Sequence, residues 1–193
     1  MASLGHASGQ IDSSEVRFVK NMLQLHAVKT SDVMTPRTVV FSLPVATPMA
    51  ALAEKMRGVP FTRIPVFEGH PDRISGFVIK HEVLALLLDD QSSGPELKDL
   101  VRQLPSVLDE LPVDKLFHRM IAEHLHIMAV VDEYGTFLGL VTLEDILETI
   151  FGFEIVDELD EVPDLQEYAR ELSRRRAAGT VRALEPSGEE PID

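Results

Sequence analysis

LGLVTLEDILETIF, residues Leu138 to Phe151, is the stretch whose reading decides the fold. An aliphatic, β-branched strand (Leu138 to Val141) runs straight into an apolar helix, with Thr142 and Asp145 at the junction. A Thr followed three residues later by an acid, ahead of an apolar run, is the capping-box pattern. The junction has a second reading. A helix N-terminus leaves backbone N–H groups unpaired and attracts anions, and a carboxylate beside it can accept from sugar hydroxyls. The two readings are compatible, because an ionised carboxylate has several acceptor positions.

What decides between them is a repeat. GLVTLEDIL (Gly139 to Leu147) matches GFVIKHEVL (Gly76 to Leu84) at a separation of 63 residues. IMAVVDEYG (Ile127 to Gly135) matches TRIPVFEG, with Val66 and Val130 separated by 64. LPVDKLFHRMIAE (Leu111 to Glu123) matches the helix PMAALAEKMRG (Pro48 to Gly58): Pro48 and Pro112, Leu52 and Leu116, and Met56 and Met120 are each 64 apart. Such a period exceeds that of the common solenoid repeats. Two copies of one helix–strand–strand–helix unit, packed together, would bury strand faces that neither could cover alone. The fold class is therefore α/β (α+β), built from two tandem units.

Around the repeat, residues 1–11 are small and polar and read as poorly ordered. Asp12 offers an N-cap with Glu15 three residues on, and Val16, Val19, Met22 and Leu23 give a helical apolar face up to about Leu25. Met34-Thr35-Pro36-Arg37 reads as a turn, because Pro36 disfavours helix at Thr35. Thr38 to Leu43, Arg63 to Gly69 and Ile74 to Ile79 read as strands, and KHEVLALLLDD as a buried helix. After Phe151, Phe153 to Asp164 holds six acids, and Asp164 to Ala178 reads as a charged helix with Leu165, Tyr168 and Leu172 on one side. The remaining tail reads as disordered. The boundaries follow: 1–29 linker and helix, 30–92 first unit, 93–155 second unit, 156–193 acidic linker, charged helix and tail.

Composition excludes several function classes. The net charge of −14 and pI of about 4.8 would repel a phosphate backbone, so nucleic acid is not an expected partner. With no cysteine there is no disulfide framework and no thiolate metal site or nucleophile. The longest apolar run, VLALLL (Val83 to Leu88), is far short of a membrane span, and the N-terminus lacks the marks of a signal peptide. There is no phosphate loop with a Lys, no nucleophile elbow and no HExxH. Glu144 and Asp145 are adjacent on a helix and point apart, so they do not form an acid–base pair. The chain does not read as an enzyme.

VMTPR (Val33 to Arg37), FTRIPVFEG (Phe61 to Gly69), VVDEYG (Val130 to Gly135) and GLVTLEDILETIFG (Gly139 to Gly152) carry a resemblance at these separations. Together they resemble the tandem cystathionine-β-synthase (CBS) domain pair, or Bateman module. The closer likeness is to the cytosolic pair of the CorC/cyclin M (CNNM) magnesium transporter, hemolysin-like family. It extends from about Val16 to Asp160. The resemblance implies a regulatory module that binds ATP (or AMP/ADP) with Mg²⁺ between its two copies and forms a face-to-face, disc-like homodimer. By matching position, Phe61, Thr62, Arg63, Ile64 and Pro65 are implied as the strand edge that holds adenine and phosphates. Leu140, Thr142 and Asp145 are implied as the nucleoside wall, with Asp145 on the ribose hydroxyls. A transmembrane transporter domain is the implied upstream partner, with the module as the cytoplasmic part of an inner or plasma membrane protein. The helix from Asp12 is similar to the linker entering the pair, and Met1 reads as a start near or after the membrane part. The first copy departs from the pattern, with Ile79 at the place of Thr142 and Glu82 at that of Asp145, so one nucleotide site per chain is expected. A ligand-free dimerisation scaffold and a sensor of another adenosyl ligand such as AMP are the alternatives.

Arg63, beside Pro65 on a strand edge, reads either as a surface charge next to Glu68 or as a bidentate phosphate ligand. His118, His124 and His126 read as surface or pocket lining rather than a metal site. The acidic run with Glu154, Asp157, Glu158 and Asp160 is mainly a solvated connector and only a weak candidate for Mg²⁺.

Overall fold

In the computed structural model, which describes residues 12–88 and 96–152, the chain opens with the capped helix that its sequence predicts. Asp12 precedes α1 (Ser13–Gln24); its carboxylate accepts from the first turn, and Glu15 accepts from the Asp12 N–H at 2.8 Å. A short helical turn (Leu25–Ala27), α2 (Thr30–Val33) and β1 (Thr35–Pro36) follow. The first copy then runs β2 (Leu43–Pro44), α3 (Met49–Lys55), β3 (Arg63–Phe67), β4 (Ile74–Ile79) and α4 (Lys80–Leu88). After a helical turn at Leu97–Leu100, the second runs β5 (Ser106–Leu108), α5 (Val113–Ala122), β6 (Ile127–Val131), β7 (Phe137–Thr142) and α6 (Leu143–Phe151).

The two copies agree down to hydrogen-bond register. One sheet has the order β2-β3-β4 and the other β1-β7-β6-β5. The outer strand is parallel to its neighbour in both, with Leu43 opposite Val66 and Val107 opposite Val130. Both hairpins are antiparallel and shift register at the same place, between Val66 and Phe67 and between Val130 and Val131.

Strand alternation sends side chains to two different cores. Ile64, Val66 and Val78 pack with Leu52, Met56 and Val83 under the first copy's helices. Met128, Val130 and Val141 pack with Leu116, Met120 and Ile146 under the second's. On the opposite faces, Ile127, Ala129, Phe137 and Leu140 meet Ile74, Phe77 and Leu104 between the sheets. Burial on both faces explains why the strands read as near-continuous apolar runs.

Each copy is completed by a segment from the other's side of the sequence. Residues 28–36 pack on the second copy: Thr30 donates from N–H to the Leu111 carbonyl at 2.9 Å and from its hydroxyl at 2.8 Å, and Val113 N–H donates to the Val28 carbonyl at 2.9 Å. β1 then pairs antiparallel with β7, Thr35 opposite Leu140 and Pro36 opposite Gly139. Reciprocally, Leu97 is buried in the first copy's core, and Arg102 and Phe77 exchange backbone hydrogen bonds of 2.8 and 3.0 Å. At both crossings the strand residue faced is a glycine. A Cβ on Gly139 would overlap the Thr35 carbonyl oxygen, and one on Gly76 would overlap that of Arg102.

Several expectations are corrected. Thr38 to Leu43 is not a strand; residues 37–39 turn, and only Leu43–Pro44 pairs. The turn expected at Met34 to Arg37 contains β1, because Thr35 finds a partner in Leu140. Pro48 is the N-cap of α3 rather than its first residue, and the helix ends at Lys55. KHEVLALLL is helical, but Val83 is its one fully buried residue and Leu88 is 87% exposed. The apolar face of α1 is open too, with Leu23 70% exposed. Residues 1–11, 89–95 and 153–193, on which the expected acidic run and charged helix fall, lie outside the described residues.

Replacing Gly139 by Ala should cost about 2 kcal/mol in urea unfolding, because the new methyl meets backbone on the facing segment and has no side chain to displace. Gly69→Ala, at φ +72° but with nothing within 4 Å, should cost about 1 kcal/mol from backbone strain alone. Equal losses at the two positions would argue against the close crossing.

Candidate functional site

Thr142 and Asp145 are brought together as the capping reading requires. Thr142 has extended backbone (φ −112°, ψ 167°) and caps α6. Its N–H and its hydroxyl both donate to Asp145 Oδ2 at 2.6 Å, while the Asp145 N–H donates to the Thr142 hydroxyl oxygen at 3.2 Å. The pair is half-buried at the C-terminal end of β7, where the strand feeds directly into the helix. Helix N-terminus, hydroxyl and carboxylate therefore sit at one point. A carboxylate has about four acceptor positions, so one group can hold both the cap and a ligand hydroxyl.

The other candidates divide by the alternation of β3. Ile64 is fully buried in the first copy's core, opposite Val78, and can offer a ligand only its backbone. Arg63 and Pro65 share the opposite face, with Pro65 buried opposite Phe77 and Arg63 half-buried opposite Ile79. That face looks toward the inter-sheet cluster, to which Phe77 belongs. Leu140, 7% exposed, belongs to the same cluster from the other sheet, and Thr142, two residues on, lies on the same face of β7. Among the described residues Arg63 makes no ion pair with Glu68 or any other carboxylate. Phe61 is half-buried and Thr62 exposed; the Thr62 carbonyl accepts from Lys80 N–H at 2.9 Å, and Lys80 Nζ donates to the Val59 carbonyl.

The equivalent corner of the first copy is built differently. Ile79 supplies no hydroxyl, and Glu82 instead accepts from Arg102 Nη2 at 2.6 Å. The acid is thus committed to a cation on the crossing segment.

Sequence reasoning missed two features, one beside the site and one at the opposite end of the β6–β7 hairpin. β1 lies along Leu140 and Gly139, so Thr35, Pro36 and Arg37 frame the strand that leads to Thr142, and Arg37 N–H donates to the Leu138 carbonyl at 2.9 Å. Its signal was the VMTPR string, which carried the resemblance but was read structurally as a turn. Arg37 also binds Asp72 at 2.7 Å, tying the first copy's hairpin loop to this edge. The second feature is the VVDEYG turn: Asp132 accepts from the N–H groups of Tyr134 (3.0 Å) and Thr136 (2.7 Å), and Gly135 has φ +81°. Its tip, Tyr134, is 85% exposed.

His118, His124 and His126 are exposed, and the His126 carbonyl accepts from Leu143 N–H at 3.2 Å, mirroring Thr62 and Lys80. Among the described residues no group of three or more His, Asp or Glu is placed to hold a metal ion. No helix among them is long and apolar enough to cross a membrane.

Comparison with known proteins gives a consistent answer. The pattern of the CBS domain family matches residues 31–89 and 97–152. The UPF0053 protein sll1254 of Synechocystis sp. is 32% identical over 186 residues, covering 96% of this chain. The chain spans only 53% of that curated relative. The solved CBS domain of the bacterial CNNM/CorC family Mg²⁺ transporter matches with a TM-score of 0.74 at 26% identity, over 81% of this chain and 94% of that one. A structure of such a domain in complex with ATP matches with a TM-score of 0.66 at 25% identity, over 71% and 96% of the two chains.

The Asp132 turn gives a pH test. The Thr136 N–H, above all, holds the Asp132 carboxyl below its ordinary value. A depressed folded-state pKa means the contribution is full above the unfolded value of about 4 and is lost as pH falls through the folded one. The Thr136 and Tyr134 amide resonances should therefore hold steady above about pH 5 and move below about pH 4, and Asp132→Ala should abolish that movement.

Proposed function

Because the chain belongs to the CBS domain family and carries two CBS units in tandem, we propose that it is an adenine-nucleotide sensing module that regulates a membrane transporter of Mg²⁺ or another divalent cation. The observation that carries the reading is the capped α6 N-terminus, with Thr142 and Asp145 hydrogen-bonded at the end of β7, in a chain similar to a CNNM/CorC CBS domain in complex with ATP. The module binds rather than catalyses.

In this reading Asp145 accepts from the ribose hydroxyls while still holding the cap. Leu140 and Phe61 provide apolar surface for the base. Arg63, half-buried and without a carboxylate partner among the described residues, supplies the fork that suits a phosphate. Thr62, Ile64 and Pro65 contribute the strand edge. The first copy's corner, with Ile79 and the Glu82–Arg102 pair, is the weaker place for a nucleotide, so one site per chain is proposed. The repeat boundaries 30–92 and 93–155, and a homodimer formed through the CBS pairs, belong to the same proposal. Exposed Leu88 and Ile121, at 87% and 52%, are apolar surface that such a dimer could cover.

Mg²⁺ enters through charge. ATP carries roughly four negative charges and the chain −14, so long-range repulsion opposes binding until a cation neutralises the phosphates. At about 0.3 kcal/mol per heavy atom, a ligand of about 31 heavy atoms is limited to about −9 kcal/mol, and an open cleft should do worse, so micromolar or weaker affinity is expected. To regulate, the nucleotide must bind one conformation of the module better than another, since equal affinity shifts nothing.

The capping box also accounts for the Thr142–Asp145 geometry with no ligand at all, which keeps the empty scaffold as a second reading. A thermal-shift panel of ATP, ADP, AMP and adenosyl compounds separates the two: a ligand of the native state raises the melting temperature, and a scaffold responds to none. Calorimetry should show tighter ATP binding with Mg²⁺ than with EDTA. Thr142→Ile should remove nucleotide binding from a folded protein, whereas loss of the cap alone costs about 1 kcal/mol of stability. Unchanged affinity in folded Thr142→Ile would refute the site.

A further inference from the structure

Helix α1 carries an apolar stripe that the described residues leave open. Phe18 turns toward the body and stacks on Phe151 with 5.4 Å between ring centroids. Val19, Met22 and Leu23, one helical stripe by their spacing, are instead 38%, 48% and 70% exposed. Arg17 and Lys20 are exposed beside them. A patch of this kind on a small body marks a contact surface.

α6 ends against the same helix. Gly152, in the left-handed region at φ +73°, ends α6 directly against α1. Asn21 Nδ2 donates to the Ile150 carbonyl at 3.3 Å, and a Cβ on Gly152 would lie 2.8 Å from that nitrogen and 3.5 Å from Arg17 Cδ. Past this point the sequence carries Glu154, Asp157, Glu158, Asp160 and Glu161, then DLQEYAREL, with Leu165, Tyr168 and Leu172 at helical spacing.

We propose that residues 154–172 of this same chain dock along α1. The acids lie against Arg17 and Lys20, and the stripe of Leu165, Tyr168 and Leu172 covers Val19, Met22 and Leu23. Reach is ample: the twelve residues from Phe153 to Asp164 span up to about 40 Å when extended, and α1 is about 18 Å long. Tethering makes the contact intramolecular, at an effective concentration of order millimolar, so modest complementarity is enough. Charge disfavours a second α1 as the occupant: it would bring Arg17 and Lys20 against their own kind and offer as its acid Glu15, already engaged at the cap. The proposal is independent of nucleotide binding.

The full chain has no cysteine, which makes a pairing experiment clean. Leu23→Cys combined with Leu172→Cys, oxidised at low protein concentration, should give an intramolecular disulfide, while Ile121→Cys with Leu172→Cys should not. In parallel, the full chain with Leu165, Tyr168 and Leu172 all changed to Ser should show hydrogen exchange in α1 faster by about tenfold or more, with β6 and β7 unchanged. Intermolecular disulfides from the first pair would assign the stripe to a second copy and overturn the proposal. Absence of any disulfide, or unaltered exchange in α1, would overturn it as well.

Discussion

Two backbone crossings hold this structure together. β1 runs across Gly139 in β7, and the chain at Val101 and Arg102 runs across Gly76 in β4, each so close that a methyl group would overlap a carbonyl oxygen. These contacts bind each sheet to a segment from the other copy's side of the sequence, next to the cluster in which Leu140 and Phe77 meet between the sheets. Packing density makes such an arrangement all-or-none, since interiors accommodate an extra methylene poorly. The glycine that opens GLVT is therefore structural before it is anything else.

Duplication has kept the scaffold and let the corner chemistry diverge. Register, bulge and helix caps coincide at the 64-residue offset, as Val66 and Val130 or Pro48 and Pro112 show. Side chains at the strand–helix junctions do not. In the second copy a hydroxyl and a short acid close on each other within one turn of helix. In the first, a longer acid reaches out to an arginine on the crossing segment. The first corner thus pairs its acid with a cation, while the second ties its acid to the helix cap.

The sequence made the fold legible wherever a residue's role was local or repeated. The capping boxes at Asp12 and Thr142, the hairpins and the second helices all follow from spacing. What spacing could not show was pairing set from a distance. β1, β2 and β5 are only two or three residues long, and they are strands because Leu140, Val66 and Val130 lie opposite them, not through propensity of their own. Thr38 to Phe41 has strand-forming residues but no strand opposite it, and the chain turns at residues 37–39 instead. In the candidate site, Thr142 and Asp145 were readable as a unit, whereas the division of Arg63 from Ile64 onto opposite faces needed the strand's orientation. The commitment of Glu82 to Arg102, twenty residues away in sequence, had no local signature.

The exchanged segments carry a consequence for any attempt to halve the molecule. A piece comprising residues 30–92 alone would keep β1 but lose the strand it zips onto, and would expose Gly76 with nothing lying over it. The second unit alone, residues 93–155, would be missing the lid that Val33 and Leu25 provide. Each half-chain could recover a full interior only by borrowing from another molecule, so the covalent join between them does the work of an obligate partnership.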